Sequence, residues 1–540
     1  MIVDFQEHDA GHTFRADVCI IGCGAAGITV AREFFKSGIS AVVLEGGGDQ
    51  WELDTQAIYA SEVAGLPHKG IHIGRARVFG GTTTLWAGQT LPLDPIDFRF
   101  RPWVAESGWP LSRDDLESYY RRAEKTLHLG QIDYDAPRGP FDDLSDITFD
   151  ASKLRRLSSQ FSPKANFAAA YVEDLKTSRN ITVVLHANVV KLVANADASA
   201  VEGVEIRSLS WKTGWAKARY YIICCGGIET ARLLLASDDV EKSGLGNGHD
   251  RVGRYFQDHV QVLAAKVQLR NEAFALSLFE TFYRRGVAYS PKLALSVKIQ
   301  EERQTLNATA GVCRDTVPAR ESSIESAKRL LKGIRQRKFL APPGPDLYRT
   351  LTSPHQVVGA AFRHFALHKA AFQMTGEPWI AIQCECEPNP LSRVMLSAER
   401  DALGMRRTRL EWRLTPLVRH TALVMMEAFG QELERLQIGK VDADSCGLAQ
   451  QGHDWEQLFW DMNHHIGTTR MSTDPSKGVV NSDCRLHSVE NLFVSSSAVF
   501  PTGGHSNPTF TILSLAVRLA DHLKVLLARS TLDVVHRCAL

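Results

Sequence analysis

No apolar run in the 540-residue chain reaches the roughly 18 residues that a membrane-spanning helix requires, so no span is expected. Charge of one sign is not in excess either: 62 Lys and Arg stand against 61 Asp and Glu. That balance gives the chain as a whole no electrostatic case for nucleic acid or an anionic membrane. The ten cysteines are scattered and form no disulfide framework. Cys384 and Cys386 make a C-x-C pair, but no second pair has metal-ligand spacing, so no metal site is expected. The opening residues, MIVDFQEHDAGHTFRADV, are polar and carry no charged-then-apolar leader. There is no internal repeat and no low-complexity stretch. A reduced, cytoplasmic enzyme of two or more domains is the resulting expectation.

What is present begins at residue 16. ADVCII over 16–21 reads as a buried strand, GCGAAG over 22–27 as a glycine-rich turn, and the next residues as an amphipathic helix to about Lys36. AVVLE over 41–45 is a second strand, completing a βαβ unit. In this order the residue types have physical roles. Gly22 permits the tight strand-to-helix turn, Gly24 lets backbone approach a pyrophosphate, and Gly27 lets the helix pack on the sheet. Glu45 stands where a carboxylate can accept ribose hydroxyls. The unit points to a dinucleotide and does not separate FAD from NAD.

RARVFGGTTTLWAGQ over 75–89 places Gly80 and Gly81 before three threonines and Trp86. Glycines let backbone come against a flat ligand, and the hydroxyls can bind phosphate or ring polar atoms. Composition alone leaves an ordinary Gly/Thr loop equally open. Further on, a Ser-x-x-Asp start predicts a helix over 109–128, and strands are expected through 181–225 and in the middle of the chain, LALSVKI and WIAIQCECE among them. Segment 320–350 reads as a basic helix followed by an exposed loop, APPGPD; a solvated surface helix is the expectation, with contact to a membrane or a partner as the alternative.

The 75–89 stretch resembles the flavin-contacting signature of the glucose-methanol-choline (GMC) oxidoreductase family, in the style of its bacterial sugar-oxidising, pyranose-oxidase-like branch. HANVVKLV, IICCGGIETARLLLAS, VGRYFQDH, EPNPLSRVMLSAERDALG and the C-terminal HHIGTTRM and SSSAVFPTGGHSNPT continue the resemblance. It implies an α/β fold: a discontinuous, doubly wound, Rossmann-like FAD-binding domain from 1–95, 180–262 and 456–540. An α+β substrate-binding domain with a large sheet would come from 96–179 and 263–455. It implies cofactor contacts at Ala26, Gly46, Arg77, Gly80, Gly81, Thr82, Trp86, Ala87, Val189, Cys224, Gly226, Ser496 and Thr509, besides Gly22, Gly24, Gly27 and Glu45. His464, three residues before Gly467-Thr468, falls on the catalytic base, and Asn507 on its partner; the neighbouring His465 matches no catalytic position. Read alone, His464 could be a core histidine and Asn507 a turn former.

Two positions depart from the pattern. Leu85 stands where pyranose oxidases carry the histidine that binds FAD covalently, so non-covalent FAD is expected. Ser496 stands where many members have Asp. Gln383, Glu385 and Glu387 alternate along a strand and are candidates for the substrate pocket. The implied reaction is oxidation of an alcohol, sugar, glycoside or polyol hydroxyl, with oxygen, a quinone or a protein as electron acceptor. A non-redox lyase or photoenzyme on the same scaffold, and an NAD-dependent dehydrogenase, are the other classes.

Overall fold

The computed structural model describes residues 1–134, 147–316, 321–336, 342–370, 374–450 and 454–538. The chain builds two large sheets. The first has eight strands and forms around the expected βαβ unit. Ile2–Asp4, Ile181–Leu185, Ala41–Leu44, Thr13–Ile21 and Thr213–Ile223 lie side by side in parallel, with Leu492–Val494 added on the last. Val201–Arg207 and Asn188–Ala194 extend it antiparallel. The parallel strands carry continuous apolar runs, such as VCII and AVVL, and every residue of these two runs is buried, as expected of strands covered on both faces. The register sets Ile21 beside both Leu44 and Ile223. The three strands therefore end together, and Gly22, Glu45 and Cys224 meet at one edge.

The second sheet has nine strands, all paired antiparallel, with Val260–Leu269, Met374–Cys384, Ala308–Thr316, Val287–Leu295 and Leu154–Phe161 adjacent in that order. The Pro416–Arg435 helix backs it, burying Val418, Ala422, Met425, Phe429 and Leu433 at helical spacing. This is the expected α/β plus α+β architecture.

Several local expectations change. In LALSVKI only the start is strand; Ser296 caps a helix, Val297–Arg303, by accepting from Ile299 N, and so ends the extended run. Gln89–Thr90 and Trp460–Asp461, expected in the cofactor domain, pair within the second sheet. Arg113–Leu127, expected with the substrate domain, packs instead on the C-terminal helix Thr509–Cys538. The Tyr120 hydroxyl lies 2.6 Å from Thr511 Oγ1 and its ring meets Phe510 edge-on. Phe167–Thr177 likewise covers the first sheet's helix Ala25–Glu33. The apolar stripes of these helices are indifferent to which sheet they cover, so sequence order does not fix the layer they join. The stretch 135–146, also assigned to the substrate domain, lies outside the described residues.

Candidate active site

An open cavity of about 530 Å3 runs along the strand ends of the first sheet and reaches the loops between the sheets. Gly22, Gly24, Ala26, Glu45, Gly46, Arg77, Gly81, Thr82, Trp86, Ala87, Val189, Cys224, Gly226, Ser496 and Thr509 all line it, as do His464 and Asn507. Gly27 and Gly80 do not reach its wall, and their roles are in packing. A Cβ on Gly27 would come within 2.0 Å of Gly22 O, so only glycine lets the helix sit on the strand. Gly80 adopts φ 95°, and a Cβ there would strike Ala168.

Three observations fit a dinucleotide. The Ala25–Glu33 helix has no side-chain cap, so the positive end of its dipole opens on the cavity at Gly24. Gly226, at φ 71°, would project a Cβ into space with no atom within 4 Å. Arg77 Nε is buried without a partner, while its Nη2 donates to Asn188 Oδ1 at 2.5 Å.

Glu45 is nearly inaccessible, and both its oxygens accept backbone N–H groups, from Cys23 at 2.9 Å and Gly47 at 2.9 Å. Burial raises its pKa despite those bonds and nearby Arg77. The carboxylate thus shapes two cavity-lining turns and keeps free lone pairs for a donor. Ser496 Oγ accepts from Ala498 N and caps a short turn. Leu85 lines the cavity and is half exposed.

At the other end the histidines form a chain whose proton positions follow from hydrogen-bond logic. His259 Nε2 lies 2.7 Å from Gly504 O and 3.2 Å from Gly503 O. Carbonyls only accept, so this nitrogen carries the hydrogen. Burial lowers the pKa of His259, which leaves its Nδ1 bare and accepting. His464 Nδ1, 2.8 Å away, therefore donates to it. The lone pair of His464 is left on Nε2, 3.2 Å from the Asn507 Nδ2 donor. Burial first, then His259 and Lys292, hold the His464 pKa well below its ordinary value. The His464 ring keeps partial exposure because it faces the cavity.

Asp258 fixes the neighbouring backbone. Its Oδ1 accepts from His464 N at 2.7 Å and its Oδ2 lies 3.1 Å from His68 Nε2. His465 turns the other way, toward His68 and Phe256, its Nε2 4.0 Å from Asp258. Among the described residues, His68, Asp258 and His465 form the one cluster with metal-ligand spacing. The second His68 nitrogen already accepts from Ile71 N, so hydrogen bonds account for that residue's orientation. Cys384 and Cys386 are buried thiols whose pKa burial raises.

Gln383, Glu385 and Glu387, expected along the substrate pocket, do not line this cavity. Glu385 is fully buried and binds Arg101 through two bonds of 2.7 and 2.8 Å. It also accepts from Asn307 N and Gly504 N. Gln383 donates to His505 O. Both support the 503–505 loop from below, Gln383 from the last residues of the Met374–Cys384 strand and Glu385 from just past its end.

Residue-by-residue reading missed a charged group in the cavity wall. Glu229 is held by Arg75 at 2.7 Å and Arg232 at 3.2 Å. Burial opposes its charge, but Arg232, Arg75 and Arg77 outweigh it and bring the pKa to about 2. It missed His259 as well, although VGRYFQDH, which ends on this residue, carries part of the family resemblance. No local pattern tells that this histidine faces His464 from 205 residues away.

Family models described as GMC oxidoreductase match residues 153–261 and 388–516. The fructose dehydrogenase large subunit of Gluconobacter japonicus is 23% identical, the match covering 95% of this chain and 98% of that one. The 6'''-hydroxyparomomycin C oxidase of Streptomyces lividus is 24% identical over 94% of this chain and 92% of its own. Among solved structures, an FAD-dependent oxidoreductase from Chaetomium thermophilum superposes with a TM-score of 0.55 at 16% identity, over 94% of this chain and 99% of that one.

Proposed function

Because the chain belongs to the GMC oxidoreductase family, we propose that it uses FAD to oxidise the hydroxyl of a small sugar, glycoside or polyol to a carbonyl. The observation that carries this reading is the His259–His464–Asn507 chain beside a cavity that the glycine-rich dinucleotide turn also lines. The full-length likeness to a fructose dehydrogenase and to an aminoglycoside oxidase supports a sugar-like substrate.

The Gly22–Gly27 turn, Glu45, Arg77 and the 224–226 turn would hold the dinucleotide portion, and 81–87 with Ser496 and Thr509 the ring portion. Bound FAD supplies a two-electron acceptor for the carbon-bound hydride. The chain does the proton chemistry. His464 Nε2 takes the hydroxyl proton, and its neutral state at physiological pH makes it competent to do so. Asn507 Nδ2 donates to the same oxygen and orients the carbon. His259 keeps the His464 proton on Nδ1, away from the substrate.

FAD is bound without a covalent link in this reading, since Leu85 has no nucleophilic atom. The nine cysteines from Cys19 to Cys484 are all unpaired, most of them buried, which fits a reducing, cytoplasmic setting. We assign the 113–127 and 167–177 helices to the FAD-binding domain and the 89–90 and 460–461 strands to the substrate domain.

The test is anaerobic mixing with a panel of sugars, aminoglycosides and simple diols. At least one should bleach the flavin, and denaturation followed by filtration should release all of it as FAD. A nicotinamide cofactor, or flavin no alcohol reduces, would reject the reading. Glu45→Ala is expected to weaken FAD binding by about 1.5–3 kcal/mol, the cost of losing hydrogen bonds to a charged group, with turnover of loaded enzyme little changed. Fluorescence titration of the apoprotein measures this, and unchanged affinity would remove Glu45 from the site.

A further inference from the structure

Between strands Ala308–Thr316 and Met374–Cys384 the chain inserts three helices: Ser323–Gln336, Gly344–Thr352 and Pro354–Phe365. The solvated basic helix and exposed loop expected here are only partly found. Residue 341, the first of APPGPD, lies outside the described residues, and the rest of that loop runs into the second helix. Neither the second nor the third helix buries a single residue. Yet they are not polar. Of the 22 large apolar side chains exposed among the described residues, nine fall within 331–367, on or beside three helices that pack on one another.

Phe365 is 76% exposed, Tyr348 70%, and Leu331 and Val358 67% each. Val358, Phe362 and Phe365 recur at i, i+4 and i+7, one stripe of one helix. Around this apolar surface the sequence is strongly basic. Residues 323–369 hold nine Lys and Arg against two Asp and Glu, although the whole chain is at only +1, and six of the nine, Lys328, Arg329, Lys332, Arg349, Arg363 and Lys369, are among the described side chains. Both acids are spent within the tip, Glu325 on Lys328 and Asp346 on Arg329. Arg363 and Lys369 reach back to Glu280 and tie the tip to the sheet.

We propose that this three-helix tip docks the protein on the surface of an anionic phospholipid membrane. Apolar side chains that protrude from a tip two of whose three helices bury no residue suit a deformable, planar partner better than a rigid protein groove. Excess positive charge meets lipid phosphate while the long Lys and Arg stems lie along the apolar layer. A second copy of the chain is disfavoured, because it would bring the same positive charge face to face. No described helix is long and apolar enough to cross a membrane, so the contact is peripheral. The tip joins the ends of the two strands remote from Glu385, on the order of 30 Å away at the rise of a strand. It can therefore be altered without touching the catalytic histidines.

The test uses the full-length holoenzyme with phosphatidylglycerol/phosphatidylcholine vesicles and with pure phosphatidylcholine vesicles. Flotation should recover the protein with the anionic vesicles at low salt and much less of it at high salt or with the neutral ones. The Phe362→Ser/Phe365→Ser variant should partition about tenfold or more weakly, with flavin content and turnover unchanged. The lipid and salt series on unaltered protein decides the matter even if that variant fails to fold. Absence from anionic vesicles at low salt, equal binding to neutral ones, or parental binding by the variant overturns the proposal. So does a dimer that the variant dissolves while vesicles stay bare.

Discussion

Replacing His464 with alanine is expected to slow anaerobic flavin reduction by alcohol about 10²–10⁴-fold, the usual loss for a positioned base. The FAD spectrum should survive, since the imidazole is one wall of a cavity held by many other residues. His465→Ala is expected to leave the reductive rate far closer to the parent's, because that ring packs on His68 and Phe256. Asn507→Ala should slow reduction by less than His464→Ala, as the alcohol oxygen loses one of two anchors. His259→Leu provides the sharpest check on the proton positions. It removes the acceptor of the His464 Nδ1 hydrogen, lets that hydrogen move to Nε2, and so should lower the rate without touching the substrate.

The pH profile carries its own sign. His464 works as the neutral form, and its pKa lies well below the ordinary value. The reductive rate should therefore stay level as pH falls from 8 through the usual histidine range of about 6.5, and drop only in stronger acid. Stopped-flow measurement of each variant across pH decides between these outcomes. A rate that halves near the ordinary histidine pKa would mean the base is solvated, not buried. A slow His465 variant beside a parental His464 variant would show that the wrong neighbour has been chosen.

Glu385→Leu is expected to cost about 3–5 kcal/mol of stability, because it leaves the Arg101 guanidinium buried without its counter-charge. Arg101 is 1% exposed, and both terminal nitrogens of its guanidinium donate to Glu385. The same carboxylate receives Gly504 N, so the variant should also loosen the loop leading to Asn507. Urea titration of holoenzyme measures the loss. The double change Arg101→Met/Glu385→Leu should restore most of it, since an apolar pair of similar volume removes the unpaired charge. A variant of parental stability that had lost substrate affinity would instead return Glu385 to the pocket. Burial opposes the Glu385 charge, but Arg101 outweighs it and lowers the pKa, so this contribution is present at neutral pH and lost as pH falls below the ordinary carboxylate range of about 4.

The dinucleotide turn was legible because its determinants are local. Gly22 needs a positive φ, Gly27 a missing Cβ, and Glu45 a fixed distance along two strands, all within 24 consecutive residues. The Gly80-Gly81 stretch was legible as backbone chemistry for the same reason. His464 and Asn507 were legible only through resemblance, because nothing in either neighbourhood separates them from a core histidine and a turn asparagine.

Tertiary structure alone decided the rest, and in each case the cause is contact across long sequence separation. Whether Glu385 faced ligand or protein depended on Arg101, 284 residues away. The alternation of a strand marks two faces without saying what covers either. The tautomer of His464 depended on His259 and on the carbonyls of Gly503 and Gly504 behind it. The Arg113–Leu127 helix announced its own ends, through the Ser112–Asp115 capping box, but not the layer it would cover. The sequence by itself determined which segments turn, pair and coil, because those choices are set by neighbouring residues. Which charge meets which, and which apolar stripe is left without a partner at the 323–365 tip, were settled only when the sheets came together.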